Sequence, residues 1–212
     1  MIIMHNGGPV LVLYSDTISP TSHCVRLALA EKDIDTDVKF IQPDEVSEEL
    51  SELNPYGTTP TLMDRDLVLY DHQIILEYLD ERFPHPPLMP VDPMNRAVNR
   101  QLRYRITRDF YGMAEELGSE NEIAAASSRK TLRSSLVAIE PVFSNMSYFM
   151  SEEYTLVDCC MAPLLWRLEA YNIRLPADCR SLRRYARSLF ERDAFQSSMT
   201  EPEREMCERL TA

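Results

Sequence analysis

Phe83-Pro84-His85-Pro86-Pro87-Leu88-Met89-Pro90-Val91-Asp92-Pro93 divides the sequence in two. Five of the chain's 14 prolines fall in these eleven residues. Proline lacks an N–H, fixes its own φ and pushes the preceding residue toward extended conformations, so the segment reads as a stiff connector. The charge balance changes at the same place. Up to Phe83 there are 5 Lys or Arg against 16 Asp or Glu, and from Pro84 onward 17 against 18. The expected organisation is one domain over residues 9–83, a proline-rich linker over 84–93 and a second domain over 94–212.

Upstream of the linker, strand and helix patterns alternate. Val10-Leu11-Val12-Leu13-Tyr14 is a short apolar run of the kind a buried strand shows. A helix is expected from about Pro20 to Lys32, with Ser19 as N-cap and Pro20 at the first helical position, where its missing donor costs nothing. Asp35 to Ile41 alternates, with Val38 and Phe40 set apart from Asp37 and Lys39, and reads as a strand. Glu45 to Leu53 reads as an acidic helix ended by Asn54-Pro55. Thr61-Leu62-Met63 and Leu67-Val68-Leu69-Tyr70 form a hairpin through Asp64-Arg65-Asp66. Ile74, Ile75, Tyr78 and Leu79 then make one stripe of a helix from about His72 to Arg82. The order β-α-β-α-β-β-α is that of a thioredoxin-like domain.

Downstream, the patterns are helical throughout. Pro93 to Leu117 reads as one long helix, and Leu132, Leu136, Ile139 and Phe143 repeat at helical spacing. Val157, Cys160, Met161, Leu164, Leu165 and Leu168 make the wide apolar stripe of a helix buried in a bundle. Thr155 and Asp158 form an aspartate version of the capping box at its start. Pro163 inside it should cost about 3 kcal/mol or bend it. Leu182, Tyr185, Ala186 and Leu189 mark another helix with an arginine-rich outer face, and the tail from Glu201 reads as a solvated helix. The fold class is therefore an α/β thioredoxin-like N-terminal domain followed by an all-α C-terminal domain.

Composition bounds the function. With 44% apolar and 26% charged residues, the 212-residue chain can bury a sizeable core. Its longest apolar runs, Pro9 to Tyr14 and Met161 to Trp166, fall far short of the roughly 20 residues a membrane span needs. No basic segment followed by an apolar one opens the sequence, so a cytoplasmic chain without membrane contact is expected. The net charge of −12, concentrated before the linker, opposes direct nucleic-acid binding and favours a protein partner with a basic surface. Cys24, Cys159, Cys160, Cys179 and Cys207 form no C-x-x-C pair and no zinc spacing with the four His residues, so no metal is expected. The thiols read as reduced and mostly buried. Cys159 and Cys160 are adjacent, but neighbouring helical positions point about 100° apart, which argues against a vicinal redox pair.

This two-domain plan resembles the glutathione transferase superfamily. Ser19-Pro20 followed by Val25-Arg26 and Leu29-Ala30-Glu31-Lys32 is similar to its first helix, and Asn54-Pro55 with Thr59-Pro60-Thr61-Leu62 to its Asn-Pro…Val-Pro-x-Leu segment. The resemblance implies that Pro60 is cis and that Thr59 presents its backbone to the cysteinyl part of glutathione. It also offers Ser19 as the hydroxyl that would stabilise the glutathione thiolate, with Tyr14 as a second candidate, since a hydrogen bond to a charged form favours that form. Ser19 equally has a complete explanation as a helix cap. Many members grip the γ-glutamyl end with Glu-Ser or Gln-Ser at the start of the third helix, where this sequence has Asp71-His72. The set Ser19, Thr59, Pro60, Asp71 and His72 therefore reads as a vestigial glutathione site without a cofactor. A serine-type glutathione transferase using Ser19 is the alternative function.

A narrower resemblance favours a non-enzymatic role. Tyr78-Leu79-Asp80-Glu81-Arg82-Phe83-Pro84-His85-Pro86-Pro87-Leu88-Met89-Pro90 resembles the signature of the stringent starvation protein A family. This bacterial branch of the superfamily associates with RNA polymerase instead of conjugating glutathione. Leu156-Val157-Asp158-Cys159, Ala162-Pro163-Leu164-Leu165-Trp166-Arg167-Leu168, Phe190-Glu191-Arg192-Asp193 and Glu203-Arg204-Glu205-Met206 extend the likeness over nearly the whole chain. The resemblance implies a homodimeric transcription co-regulator of stress or starvation responses. It would contact the polymerase holoenzyme or its sigma factor through Phe83, Pro84, His85, Pro86 and Pro87. A rigid segment suits docking because little conformational entropy remains to be lost. Asp92 stands where an aromatic is expected, implying a shallower or more acidic pocket beside the motif.

Arg96, Arg100 and Arg103 recur at i, i+4 and i+7 and so share one helix face. In this superfamily that helix lines the dimer interface. The three arginines are expected to meet acids of a second subunit such as Asp64, Asp66, Asp71, Glu77 or Asp80. Arg105 and Arg108 extend the basic character, which permits binding of a guanosine polyphosphate without demonstrating it.

Overall fold

The computed structural model describes residues 11–42, 47–119 and 121–211, with side chains described up to residue 206. Val10 and the Glu45 start expected for the acidic helix lie outside this range. Strand β1 (Leu11–Asp16) leads into α1 (Pro20–Glu31), β2 (Thr36–Ile41), α2 (Glu48–Leu53), the hairpin β3 (Thr61–Asp64) and β4 (Leu67–Tyr70), and α3 (His72–Arg82). The sheet order is β2-β1-β3-β4, with β1 and β2 parallel and the other pairs antiparallel. This register puts the C-terminal end of β1, the start of β3 and the end of β4 at one end of the sheet, where Ser19, Thr59 and Asp71 follow or precede their strands.

The second domain is helical. It comprises α4 (Pro93–Arg105), a π-helical turn (Ile106–Tyr111), α5 (Gly112–Glu116), α6 (Glu122–Ile139) closing in a 3₁₀ turn (Glu140–Phe143), α7 (Leu156–Trp166), α8 (Arg180–Phe190), α9 (Asp193–Ser198) and α10 (Glu201–Thr211). The long helix expected from Pro93 to Leu117 is thus interrupted by a π-helical turn, a feature common at functional sites. Helix α7 runs through Pro163 from Leu156 to Trp166, and residues 156–165 are all buried. The Thr155–Asp158 capping box is formed, with Thr155 N donating to Asp158 Oδ2 at 2.8 Å. The Asp158 carboxyl is pushed up to about 6 by burial, against the hydrogen bonds that Tyr185 and the Phe149 and Thr155 amides donate to it.

The hydrophobic core has two parts that share α1. Val25 and Leu29 of α1 pack with Leu11, Leu13, Leu62, Ile75 and Leu79 around the sheet. Cys24, Leu27 and Ala28 face the other way, into a larger cluster with α7 and with Leu88 and Met89 of the linker. A helix apolar on both sides is what burial between two layers requires. Leu88 and Met89 are nearly fully buried, so the middle of the linker is core and Pro93 already belongs to α4. Burying two such side chains stabilises the domain junction by roughly 1.5–3 kcal/mol each.

Three local expectations need correction. Val38 and Phe40 were grouped apart from Asp37 and Lys39, but β2 is an edge strand and Phe40 is exposed like Asp37, with the Arg26 guanidinium 5.8 Å from its ring centre. Ser19 occupies the N-cap position of α1 with Pro20 at the first turn, yet its hydroxyl makes no cap bond and lies 2.7 Å from Thr21 Oγ1. Asp16 instead gathers that turn, its Oδ1 accepting from the amides of Ile18 and Ser19 at 2.6 Å each. The tail from Glu201 is helical, but Glu203 within it is completely buried. Among the described residues, no helix is long and apolar enough to cross a membrane, and no group of three or more His, Cys, Asp or Glu is placed to hold a metal ion.

Candidate docking ridge and remnant thiol site

Residues 84–87 are exposed while residues on both sides of them are held. The holding group is Lys32 at the end of α1, whose side chain is entirely buried. Its ammonium donates to the carbonyls of Phe83 and Pro86 at 2.7 Å each and pairs with Asp80 Oδ1 at 2.8 Å. All three ammonium donors are thereby used. Asp80 Oδ1 also accepts from Leu88 N at 2.8 Å, which fixes the far end of the loop. The segment is therefore wrapped around a buried ion pair, and it is bent, not extended, with a cis peptide at His85–Pro86. Phe83 is half-buried beneath the Arg82 guanidinium, 5.1 Å from its ring centre. A 430 Å³ cavity begins at Pro87 and Pro90 and runs between Val98 of α4 and Met146, Met150 and Glu153. Asp92 caps α4 by accepting from Asn95 N at 2.9 Å. The acid on the cavity rim comes from Glu152 and Glu153.

The residues expected at a thiol site divide between two settings. Thr59–Pro60 is cis, as the resemblance implied. Asn54 fixes that loop by donating to Thr58 O at 3.1 Å and to Thr61 Oγ1 at 3.0 Å. Thr59's own backbone groups take part in no hydrogen bond among the described residues. Asp71 stands at a positive φ of 71° and caps α3, accepting from Gln73 N at 2.8 Å. The His72 imidazole is buried between the domains, with Nε2 3.0 Å from Thr107 Oγ1 and the ring stacked on Tyr111. Burial, reinforced by the Arg103 charge and partly offset by Asp71, pushes His72 down to about 4, so the ring is neutral at pH 7. Tyr14 is buried, and its hydroxyl donates to Glu49 Oε1 at 2.7 Å.

Residues 13–87 match the N-terminal domain and residues 97–193 the C-terminal domain of glutathione S-transferase. A stringent starvation protein A homolog of Coxiella burnetii is 45% identical over 94% of this chain and 96% of its own length. The chain belongs to the stringent starvation protein A family. Maleylacetoacetate isomerase of Rattus norvegicus is 30% identical, over 92% of this chain and 94% of its own. Among solved structures, the tau class glutathione S-transferase of mango superposes with a TM-score of 0.81 at 21% identity, covering 95% of this chain and 97% of that one, which shows the shared fold.

In this member of the stringent starvation protein A family the arginine face of α4 finds its acids within the same chain. Arg100 and Arg103 both pair with Glu77 of α3, Arg100 NH2 at 2.8 Å, and Arg103 NH1 donates to Gln73 Oε1 at 2.5 Å. Arg96 lies 3.7 Å from Glu81. Within the single chain, Glu77, one of the acids expected from a second subunit, is thus taken by Arg100 and Arg103. Two further acids of that set have partners in the same chain, Asp64 with Tyr78 and Arg82, and Asp80 with Lys32. Helix i, i+4, i+7 spacing identified the face, but it carried no information on which chain supplies the partner.

Two residues that organise the molecule were not singled out from the sequence. Lys32 reads as an ordinary helix-end lysine. Glu203 is the hub of a buried cluster joining both domains: it pairs with Arg26 of α1 at 2.6 Å and with Arg167, which follows α7. Arg167 also donates to Ile18 O at 3.0 Å, and Arg26 to Asp16 O at 2.9 Å, so the turn bearing Ser19 is bolted to the second domain. A signal for Glu203 was present. Thr200-x-x-Glu203 is a capping-box pattern, and Thr200 N donates to Glu203 Oε2 at 2.9 Å.

Proposed function

We propose that the chain is an RNA-polymerase-associated transcription co-regulator that works by protein contact through Phe83–Pro87, and that it conjugates no glutathione. The observation that carries this reading is the buried Lys32–Asp80 pair beneath an exposed Pro-His-Pro loop. Holding both flanking carbonyls orders the loop before any partner arrives, which lowers the entropy cost of docking. Val91 and Met94, exposed beside the ridge, extend it with apolar surface of the kind that marks interaction sites. Its acidic rim suits a basic partner surface. The same reading takes the chain as a homodimer, to be checked by sedimentation.

Pull-down of polymerase holoenzyme by the purified chain tests the proposal. The Pro84→Ala, His85→Ala double variant should lose at least tenfold in captured polymerase while keeping its unfolding midpoint, and Lys32→Met should weaken capture through the loop. Undiminished capture by a folded double variant would defeat the reading.

The cis Thr59–Pro60 loop with its unengaged backbone favours one alternative, a retained affinity for glutathione. Calorimetric titration with glutathione and a conjugation assay on a standard electrophile address it. Turnover abolished by Ser19→Ala would establish the serine-type transferase instead.

A further inference from the structure

The adjacent cysteines Cys159 and Cys160 do not share a direction. Cys159 donates to Tyr154 Oη at 3.4 Å, whereas Cys160 points across the domain boundary to Cys24 of α1, Sγ to Sγ 3.4 Å. Both residues are free thiols and fully buried, and α1 and α7 pack directly on one another there. A disulfide has S–S near 2.05 Å, so about 1.4 Å of approach separates this pair from a covalent bond.

We propose that Cys24 and Cys160 are an oxidisable pair which a peroxide converts into an interdomain disulfide. The route to the sulfur is short. Gln73 Nε2 lies 3.7 Å from Cys160 Sγ, and Gln73 lines the 740 Å³ cavity between α3 and α4. A molecule the size of hydrogen peroxide therefore needs only to displace one half-buried amide to reach Cys160.

The chemistry balances with hydrogen peroxide as the sole oxidant. The Cys160 sulfur attacks one peroxide oxygen, an S–O bond forms and the O–O bond breaks. The departing hydroxide takes the Cys160 proton and leaves as water. Cys24 sulfur then displaces hydroxide from the sulfenic acid, forming S–S and breaking S–O, and the Cys24 proton leaves in a second water. Two thiols are oxidised by two electrons in all, and one peroxide is reduced to two waters.

The surroundings favour this division of roles. Burial opposes ionisation of Cys160, but the Cys24 hydrogen bond, the Arg103 charge and the Gln73 amide together bring its thiol below the ordinary value. Cys24 is raised by burial and by its hydrogen bond to Cys160. Cys160 is accordingly the sulfur that attacks the peroxide and Cys24 the resolving one.

The full-length chain is treated with a small excess of hydrogen peroxide, alkylated with N-ethylmaleimide after unfolding, and mapped by mass spectrometry. The expected result is loss of two of the five thiols, restored by dithiothreitol, with the peptide ending at Arg26 joined to the one holding Cys160. Cys159→Ser should keep the link and Cys160→Ser abolish it. A chain that keeps all its thiols, stops at sulfinic acid on Cys160, or links through Cys159 or Cys207 overturns the proposal. Fragment ions of the linked peptides from the unsubstituted chain, which separate Cys159 from Cys160, decide the matter even if a variant fails to fold.

Discussion

Two carboxylates, Glu77 and Glu203, perform the same task at opposite sides of the domain junction under different conditions. Each receives two arginines, and Glu203 also has the neutral His23 beside it, Nδ1 3.5 Å from its carboxylate. Glu203 and both its arginines are buried, whereas Glu77 is 23% exposed and Arg100 is 48% exposed. The buried hub works because its donors are met: Arg167 uses all five, giving to Ile18 O twice, Pro163 O, His23 Nδ1 and Glu203, and Arg26 gives to Ser198 O, Ser15 Oγ, Asp16 O and Glu203. Arginine only donates, so His23 Nδ1 accepts, and its Nε2–H must be the donor to Ser198 Oγ at 3.0 Å. Burial and the two guanidinium charges hold His23 well below the usual histidine range, which keeps that tautomer neutral. A similar constraint sets His72. Gln73 Oε1 is taken by Arg103, so Gln73 Nε2 donates to His72 Nε2 at 2.9 Å. The difference teaches that one composition yields a structural bolt when water is excluded and a partly solvated contact when it is not.

The largest effect should come from Glu203→Ala, which strands two buried guanidinium groups. A loss of about 3–5 kcal/mol is expected, read as a lowered urea midpoint. A cost no greater than that of Glu77→Ala would break the comparison, because burial would then not be deciding the strength of the hub.

The next effect is in pH. His72 titrates near 4 when folded, below the ordinary histidine value of 6.5, so the unfolded chain binds more protons between those values. Stability contributed by a neutral His72 is therefore fully present above about 6.5 and is lost as pH falls toward 4. The stability difference between the unsubstituted chain and His72→Gln should grow by on the order of 2–3 kcal/mol from pH 4 to pH 6.5. A flat difference across that window would show that His72 is solvated.

The smallest effects separate the two arginines of Glu77. Arg103→Ala, which removes a 1%-exposed side chain bonded to Asn99, Gln73 and Glu77, should cost about 2 kcal/mol or more. Arg100→Ala should cost about 1 kcal/mol or less, because its pair is exposed and screened. Equal unfolding midpoints for the two variants would remove the distinction drawn within this hub.

Much of the scaffold was legible because it is written in short range. Helix α3 spans His72–Arg82 as its stripe of Ile74, Ile75, Tyr78 and Leu79 indicated, and the Thr155–Asp158 box sits where local donors and acceptors place it. Resemblance supplied the cis bond at Pro60. The destinations of long polar side chains were not legible. Lys32 reaches carbonyls 51 and 54 residues away, and Arg26 reaches Glu203 at a separation of 177. His72 was taken for a group at the thiol site, yet the π-helical turn at Ile106–Tyr111 brings Thr107 and Tyr111 to its ring.

By itself, then, the sequence determined most of the segments that become helix and strand and which loop is rich in proline, since those follow from backbone chemistry and apolar period. Only the tertiary structure decided that Lys32 props the ridge, that Glu203 is a buried hub and that Cys160 faces Cys24. Charge and thiol partners are chosen by which surfaces meet when the domains pack, and spacing along the chain carries no record of that meeting.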